Sequence, residues 1–164
     1  SKEEVEELEN MVDIYDAKVK TGNDVLDLII TEKSLLCQKN NIKLKCYADC
    51  SKLDFISGTD LYNLFGNALD NAIEAVVKIK ETEKRIIELK IHTVNNLLTI
   101  NIRNSFNGSV IFDESGLPKT TKEDSSYHGY GVKSISMIVD KYDGNVSFKT
   151  NNKMFSVNIL IPLQ

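Results

Sequence analysis

The sequence predicts a single α+β domain, because segments with helical periodicity and segments with strand periodicity follow one another along 164 residues. Within residues 21–164, three amphipathic helices are expected at 24–38, 60–79 and 131–142. Strands are expected at 42–47, 85–94, 97–104, 145–150 and 155–161. No internal repeat is visible, and a chain of this length can bury one sizeable hydrophobic core.

The composition excludes several classes of partner. A net charge of -4 provides no basic field for a phosphate backbone, so no nucleic acid is expected as a partner. Cys37, Cys46 and Cys50 form no C-x-x-C pair, and with His92 and His128 they do not make a zinc site. The odd number of cysteines favours a reduced, cytosolic chain. No apolar run is long enough to span a bilayer.

Residues 1–20 have a heptad-like apolar stripe that predicts a helix. The stripe consists of Val5, Leu8, Val12, Tyr15 and Val19. It fits either a helix lying on its own domain or the end of a dimerising helical hairpin. The chain opens at Ser1 without a methionine, so we expect either processing or a piece of a longer protein.

The next segments begin the domain itself. Thr21-Gly22-Asn23 interrupts the stripe, and Asp24 is the expected cap of the first helix. The residues expected to form the buried face of this helix are Val25, Leu28, Ile29, Leu35 and Leu36. In the following strand, Ile42, Leu44 and Cys46 alternate with polar neighbours, which predicts one buried strand face.

The helix at 60–79 has two faces of different chemistry. Its expected core face comprises Leu61, Leu64, Phe65, Ala68, Leu69, Ala72, Val76 and Ile79. Its polar face comprises Asn63, Asn67, Asp70, Asn71 and Glu74. Each asparagine costs about 0.5 to 0.7 kcal/mol relative to alanine in a helix, so solubility alone does not explain this face. Stacked amides and carboxylates suit a hard cation or a polar ligand; the alternative is a polar seam against a lid or a partner helix.

Two strands and an unusual connection follow. Asn95-Asn96 predicts a tight hairpin turn, and His92 is expected at an outward position of its strand. Residues 101–131 then contain four of the eight glycines, with a short strand expected at 110–112. Loops longer than about 15 residues are uncommon in compact domains, so we expect either a functional lid or a disordered insertion.

The last helix opens with His128-Gly129-Tyr130-Gly131. Two glycines at a helix N-terminus let a phosphate approach bare backbone N–H groups at the positive end of the helix dipole. The spacing matches neither a Walker A loop nor the dinucleotide fingerprint. Alone it favours a simple hinge, but with the asparagine face and the long connection it favours a phosphate ligand. Asp143-Gly144 is expected to end this helix.

These segments together resemble the GHKL ATP-binding superfamily. Residues 64–75, LFGNALDNAIEA, resemble its N box, and 128–131 resemble its second glycine box. Thr121-Lys122 is similar to the lid of sensor histidine kinases of the peptide-pheromone-receptor type, a branch associated with quorum sensing. The resemblance implies a Bergerat fold, a two-layer α/β sandwich whose mixed, mostly antiparallel sheet is backed by helices. It also implies a long ATP lid at about 104–130.

The resemblance implies ATP and Mg²⁺ as cofactors and Asn67 and Asn71 as catalytic residues. Asn71 would be the Mg²⁺ ligand, and Asn67 stands where hydrolysing members keep a glutamate that activates water. Because an amide cannot take that proton, phosphoryl transfer is expected rather than hydrolysis.

The remaining nucleotide contacts are also assigned by resemblance. Gly129 and Gly131, with Tyr130 between them, would admit the phosphates, while His128 and Lys122 would close on them from the lid. The D-x-G-x-G box of the family is absent. Asn104 stands in its place and offers the adenine amino group an oxygen acceptor without charge.

The family phosphorylates a histidine on an upstream dimerising helix, and no histidine precedes residue 92. We therefore expect residues 1–20 to be the end of a helical linker and 21–164 to be the catalytic and ATP-binding domain. The implied partners are an acceptor-histidine helix of the same or a partner subunit and a response regulator. The full-length protein would be a homodimer in a bacterial membrane, with this domain in the cytoplasm. The alternatives are a GHKL serine kinase or ATPase, and a non-catalytic dimerisation or docking module.

Overall fold

The structure, a computed structural model, describes residues 12–13, 20–108, 110–119 and 128–164. In these ranges a six-stranded sheet is packed against three α-helices. The helices are α1 Asp24–Lys39, α2 Gly58–Val77 and α3 His128–Lys141, with a 3-10 turn at Thr82–Lys84. The strands are β1 Val12–Asp13, β2 Lys43–Ala48, β3 Ile86–Val94, β4 Leu97–Ser105, β5 Asn145–Asn151 and β6 Met154–Pro162.

The strands lie in the order β1-β2-β3-β4-β6-β5, and every neighbouring pair is antiparallel except β2 with β3. The crossover from β2 to the parallel β3 contains helix α2, as a parallel pair requires a long connection. The predicted α+β class, with a mixed and mostly antiparallel sheet backed by helices, is confirmed.

One face of the sheet is covered by the helices and the other is polar. In β4 the buried Leu98, Ile100 and Ile102 alternate with half-buried polar residues. On the open face Asn101 hydrogen-bonds to Asn158 directly opposite in β6. This one-sided burial is typical of antiparallel sheets. His92 lies on the same open side of β3 and is half-buried, as expected.

Two β-hairpins of the sheet have tight two-residue turns. Asn95 and Asn96 both have positive φ, 48° and 63°, between β3 and β4. This confirms the turn predicted from the two asparagines, since such turns need positive φ at both central positions. Asn152 and Lys153 adopt the same conformation between β5 and β6.

Helix α1 differs from its prediction in both cap and face. Asn23 caps the helix by accepting a hydrogen bond from the Leu26 amide at 3.1 Å, so the expected cap Asp24 is wrong by one residue. The buried residues of α1 are Leu26, Ile29, Ile30, Ser34 and Cys37. Of the expected face Ile29 is buried and Val25 partly buried, while Leu28, Leu35 and Leu36 are exposed. Apolar residues lie on two sides of this helix, and packing against α2 and the sheet selects the other side.

The N-terminal helix is not formed at the two residues of 1–19 that the structure describes. Val12 and Asp13 pair with Cys46 and Lys45 on the outer edge of β2. The edge of β2 has unpaired backbone groups, and pairing with residues 12–13 satisfies some of them. Helical periodicity within residues 1–20 does not predict such pairing. The remainder of the apolar stripe, 1–11 and 14–19, lies outside the described residues.

Helix α2 forms the centre of the helical layer, and its predicted apolar face is buried in full. Ser57 caps it by accepting from the Asp60 amide at 3.1 Å. Beyond its C-terminal end, the Arg85 guanidinium donates to the carbonyls of Ile79 at 2.9 Å and Val77 at 3.3 Å, and to that of Asn40 at 2.8 Å. A cation at this end donates hydrogen bonds to carbonyls that lack helical partners, and it interacts favourably with the negative end of the helix dipole.

Helix α3 packs against α2, and their far ends are joined by a polar cluster. The Asp60 carboxylate accepts hydrogen bonds from the Tyr142 hydroxyl and from Lys141 Nζ, the latter at 2.8 Å. The Tyr142 oxygen also accepts from the Ser57 amide at 3.1 Å. The hydrogen bonds of Lys141 and Tyr142 lower the pKa of Asp60. We call these four residues the α2–α3 clasp.

The connection between β4 and α3 is described only in part. The strand expected at 110–112 is reduced to a single bridge between Phe112 and Pro118. The Asp113 carboxylate turns this segment by accepting from the amides of Ser115 and Leu117, both at 2.9 Å. Residues 120–127, including Thr121 and Lys122 of the expected lid, lie outside the described ranges.

The three cysteines are buried and free. Burial disfavours the thiolate and raises the pKa of Cys37 and Cys46 to about 12 and that of Cys50 to about 11. Across the part of the chain that the structure describes, no helix is long and apolar enough to cross a membrane. The same residues contain no cluster of three or more histidine, cysteine or acidic side chains that could hold a metal ion.

The end of α3 provides a test of the packing. A Cβ atom at Gly144 would lie 2.6 Å from the Leu160 carbonyl oxygen and 2.9 Å from the side chains of Val139 and Ile161. We expect Gly144→Ala to reduce the free energy of unfolding by about 1 to 3 kcal/mol, as overpacking does. Gly66→Ala is the control, because nothing lies within 4 Å of its Cβ position. It should increase stability by about 0.5 to 1 kcal/mol. Urea denaturation measures both, and equal midpoints would contradict this account.

The clasp predicts a dependence of stability on acid. Because the folded state lowers the pKa of Asp60, its contribution is present above the ordinary carboxyl pKa and is lost as the pH falls through the folded value. Asp60→Asn should therefore be less stable than wild type at pH near 7, with the difference shrinking below about pH 4. Asp140→Asn, at an exposed site on α3, is the control. Unfolding curves at several pH values test this, and a difference that does not depend on pH would refute it.

Candidate functional site

The polar face of α2 meets α3 in a regular antiparallel register. Asp60 contacts Lys141 at one end, and Asn67 contacts Ser134 in the middle. At the other end Asn71 lies against Gly131. Each step toward the C-terminus of α2 is thus matched by a similar step toward the N-terminus of α3. The register brings the last asparagine of the face to the first turn of α3.

The contact between Asn71 and Gly131 leaves little room for a side chain at position 131. A Cβ atom there would lie 3.1 Å from Nδ2 and 3.2 Å from Oδ1 of Asn71. Gly131 is buried, and the backbone at this first turn has N–H groups without helical partners. The amide of Asn71 therefore lies directly beside bare peptide groups at the positive end of the α3 dipole.

Asn67 forms the second contact between the helices. Its Nδ2 donates to Ser134 Oγ at 3.1 Å, and both residues are half-buried. Ser134 lies three positions after Gly131 and therefore on the same side of α3. Local sequence pattern does not predict this contact of Ser134, because its partner lies 67 positions away.

Asp70 faces the opposite neighbour. Its carboxylate pairs with Lys33 of α1 at 2.7 Å, and the Lys33 side chain is 12% exposed. Burial alone lowers the pKa of Lys33, but the hydrogen bond and charge of Asp70 outweigh it, so the pKa is raised. The polar face expected to act as one set is therefore divided. Asn67 and Asn71 face α3, Asp70 faces α1, and Asn63 is exposed.

Asn104 lies in the sheet layer below α2. It is 3% exposed and occupies the last buried position of β4, in line with Leu98, Ile100 and Ile102. Its Nδ2 donates to the Ser105 carbonyl at 2.9 Å. Burial of a polar group is unfavourable unless it is hydrogen-bonded, and this bond offsets part of the cost of burying the amide.

The remaining predicted site residues are described less fully. His128, Gly129 and Tyr130 form the first turn of α3 together with Gly131, but the side chains of 128–130 lie outside the description. Lys122 is outside it altogether. The structure thus unites Asn67, Asn71 and Gly131 and leaves the expected contribution of the lid as a prediction.

The residues present fit a phosphate-bearing ligand that carries Mg²⁺. The glycine at position 131 leaves a cradle that a Cβ atom would fill, and helix N-termini bind phosphate through such bare N–H groups. Amide oxygens are ligands of the kind that hard cations prefer, and Mg²⁺ needs few of them when phosphates and waters complete its shell. Because the Asp70 carboxylate is paired with Lys33, it is not an unpaired negative charge that would repel an anion from the start of α3.

Solved structures of other proteins share this fold. The fold is similar to that of the catalytic domain of histidine kinase ThkA, at 19% identity and a TM-score of 0.65 over 88% of this chain and 93% of that one. The mycobacterial sensor histidine kinase MprB matches at 12% identity and a TM-score of 0.55, covering 85% and 95%. Full-length ShkA in complex with AMPPNP matches at 11% and 0.59, covering 90% of this chain and 31% of that one.

Identities this low show a common fold, and no curated protein sequence matches the chain significantly. The family model of the GHKL domain matches residues 56–162, more than half of the chain. That range includes Asn67 and Asn71 of α2 and Gly131 of α3, which lies against Asn71. On this match the chain belongs to the GHKL domain family.

Proposed function

We propose that this domain binds ATP with Mg²⁺ and transfers the γ-phosphoryl group to a histidine on a separate helix. The observation that carries the proposal is the contact of the Asn71 amide with the Gly131 backbone, 3.1 Å from the Cβ position. An oxygen ligand for a cation and bare N–H groups for phosphate are thereby adjacent. The fold shared with catalytic domains of histidine kinases supports a kinase.

Each predicted residue has a role in this proposal. Asn71 holds Mg²⁺, which when bound would offset the charge on the phosphate oxygens. Gly129, Tyr130 and Gly131 receive the phosphates at the start of α3. The further predicted contacts are Asn104 to the adenine amino group, and His128 and Lys122 from the lid.

Transfer rather than hydrolysis is supported by the groups nearest the site. Asn67 is an amide and cannot accept a proton from water. Asp70, the nearest carboxylate along the helix, is paired with Lys33 at 2.7 Å and faces α1. A phosphoryl transferase mostly needs positioning and charge stabilisation. An enzyme that does not activate water avoids losing the phosphoryl group to hydrolysis before it reaches the acceptor.

The proposal extends to the protein in which such a domain acts. It would be a sensor histidine kinase of the peptide-pheromone-receptor type, with a role in quorum sensing. The full-length protein would be a homodimer in a bacterial membrane, with this domain in the cytoplasm. An acceptor helix of the same or partner subunit would receive the phosphoryl group and pass it to a response regulator. The resemblance of Thr121-Lys122 to the lid of that branch, together with the N and second glycine boxes of the superfamily, supports this extension.

A competing candidate is a non-catalytic docking module, which one observation favours. Leu28 and Leu35 of α1, seven positions apart and so on one side of the helix, are each 63% exposed. A docking module needs no nucleotide, so nucleotide binding separates the two candidates. A GHKL serine kinase or ATPase would share the nucleotide site and differ in the destination of the phosphoryl group.

Titration calorimetry with AMPPNP, with and without Mg²⁺, tests the binding proposal. We expect binding that strengthens with Mg²⁺, and Asn71→Ala should weaken the Mg²⁺-dependent affinity about tenfold or more, since it removes the metal ligand. Asn63→Ala is the matched control, because it removes the same amide two turns away at an exposed position. A folded wild-type protein that gives no heat at millimolar AMPPNP and Mg²⁺ would overturn the proposal.

The destination of the phosphoryl group tests the transfer proposal. The domain is incubated with γ-labelled ATP and a separately produced acceptor-histidine helical hairpin. We expect acid-labile label on the hairpin and little free phosphate, because Asn67 does not activate water. Asn67→Glu should increase phosphate release by supplying a base. Rapid release of phosphate by wild type would indicate an ATPase, and acid-stable label would indicate a serine kinase.

A further inference from the structure

Two adjacent contacts join α2 to α3 near the start of α3. One is Asn71 against Gly131, and the other is the hydrogen bond from Asn67 Nδ2 to Ser134 Oγ at 3.1 Å. Asn67 precedes Asn71 by one turn of α2, and Ser134 follows Gly131 by one turn of α3. Ser134 thus touches the side chain next to the proposed Mg²⁺ ligand, although neither its sequence context nor the family assignment gives it a role.

The two ends of an asparagine amide have opposite chemistry. The NH₂ group donates hydrogen bonds and the oxygen accepts them, while the torsion that exchanges the ends is broad and roughly two-fold. Without a fixed partner, the amide can present either end to a ligand. In the structure the Ser134 oxygen accepts from the nitrogen, which therefore lies on the α3 side. The oxygen then occupies the other corner of the amide, and it accepts no hydrogen bond from the described residues.

An oxygen at this position matters for a bound cation. Mg²⁺ keeps several waters when it is held by one or two protein ligands and by phosphates. Those waters donate hydrogen bonds, which an amide oxygen can accept and an NH₂ group cannot. The orientation of Asn67 therefore influences Mg²⁺-dependent binding in particular.

Resting on the proposed function, we propose that Ser134 is a positioning residue, whose hydroxyl orients the Asn67 amide and so strengthens the Mg²⁺-dependent part of nucleotide binding. The residue acts through Asn67. It is distinct from the clasp at the other end of the helices, which joins Asp60 to Lys141 and Tyr142.

Helix α3 offers a matched control. Ser136 lies two positions further on, and its buried hydroxyl has no hydrogen-bond partner among the described residues. Ser136→Ala removes the same group from the same helix and leaves both helix contacts in place. Ser134→Thr keeps the hydroxyl and is the conservative variant.

The experiment is the AMPPNP titration, with and without Mg²⁺, on wild type and these variants. Ser134→Ala should weaken binding about three- to tenfold with Mg²⁺, the range expected for one hydrogen bond, and less than twofold without it. Ser134→Thr and Ser136→Ala should bind like wild type in both conditions. A loss of equal size with and without Mg²⁺ would indicate a merely structural role and would overturn the inference.

A double-mutant cycle tests whether Ser134 acts through Asn67. In an Asn67→Ala background, Ser134→Ala should weaken Mg²⁺-dependent binding no further, because the group it orients is absent. An undiminished effect in that background would contradict the inference.

The hydrogen bond itself is tested without nucleotide. In ¹⁵N NMR spectra the Asn67 side-chain amide signal is identified by its loss in Asn67→Ala. It should shift in Ser134→Ala and stay in place in Ser136→Ala; an unmoved signal in Ser134→Ala overturns the inference. Absence of AMPPNP binding by wild type overturns the proposed function, whereas wild-type binding that Ser134→Ala leaves unchanged overturns the inference alone.

Discussion

The approach of Asn71 to the backbone of Gly131 is the constraint on which the geometry of the site depends. A single added carbon at position 131 would lie 3.1 Å from the amide, so the Asn71 side chain or α3 would have to shift by a few tenths of an ångström. The remaining contacts follow from that register, with Ser134 beside Asn67 and Lys141 beside Asp60. The clasp fixes the far end of α3, and the glycine fixes how closely its near end approaches the asparagines. Packing and chemistry therefore depend on the same residue.

The charge distribution around α2 complements this geometry. Lys33 pairs with Asp70 on the side of α1, and Lys141 with Asp60 at the far end. The neutral amides of Asn67 and Asn71 lie on the side toward the start of α3, next to the positive end of a helix dipole. A polyanion with its cation meets oxygen ligands and N–H donors there. Carboxylates facing the same spot would bind the metal more strongly but would repel the phosphates.

How much could be predicted from sequence depended on whether one pattern dominated a segment. The apolar face of α2 was predicted in full because a single stripe runs along it, and the Asn95-Asn96 turn followed from local φ preferences alone. Helix α1 was predicted with the wrong face because leucines lie on both sides, and tertiary packing decides between them. The asparagines and the glycine were found separately. Their contact, the Lys33–Asp70 pair and the clasp join segments too distant for local periodicity to relate them.

The pairing of Ser134 with an amide also bears on why position 67 is asparagine. A carboxylate at that position has no N–H, so the serine hydroxyl would have to donate to it. A hydrogen bond donated to a carboxylate stabilises its charged form and lowers its pKa, which makes it a weaker base. Ser134 therefore suits an asparagine that it orients. It would hinder a glutamate at the same position from accepting a proton. The two residues, on different helices, favour the same outcome, a site that positions a phosphoryl group without activating water.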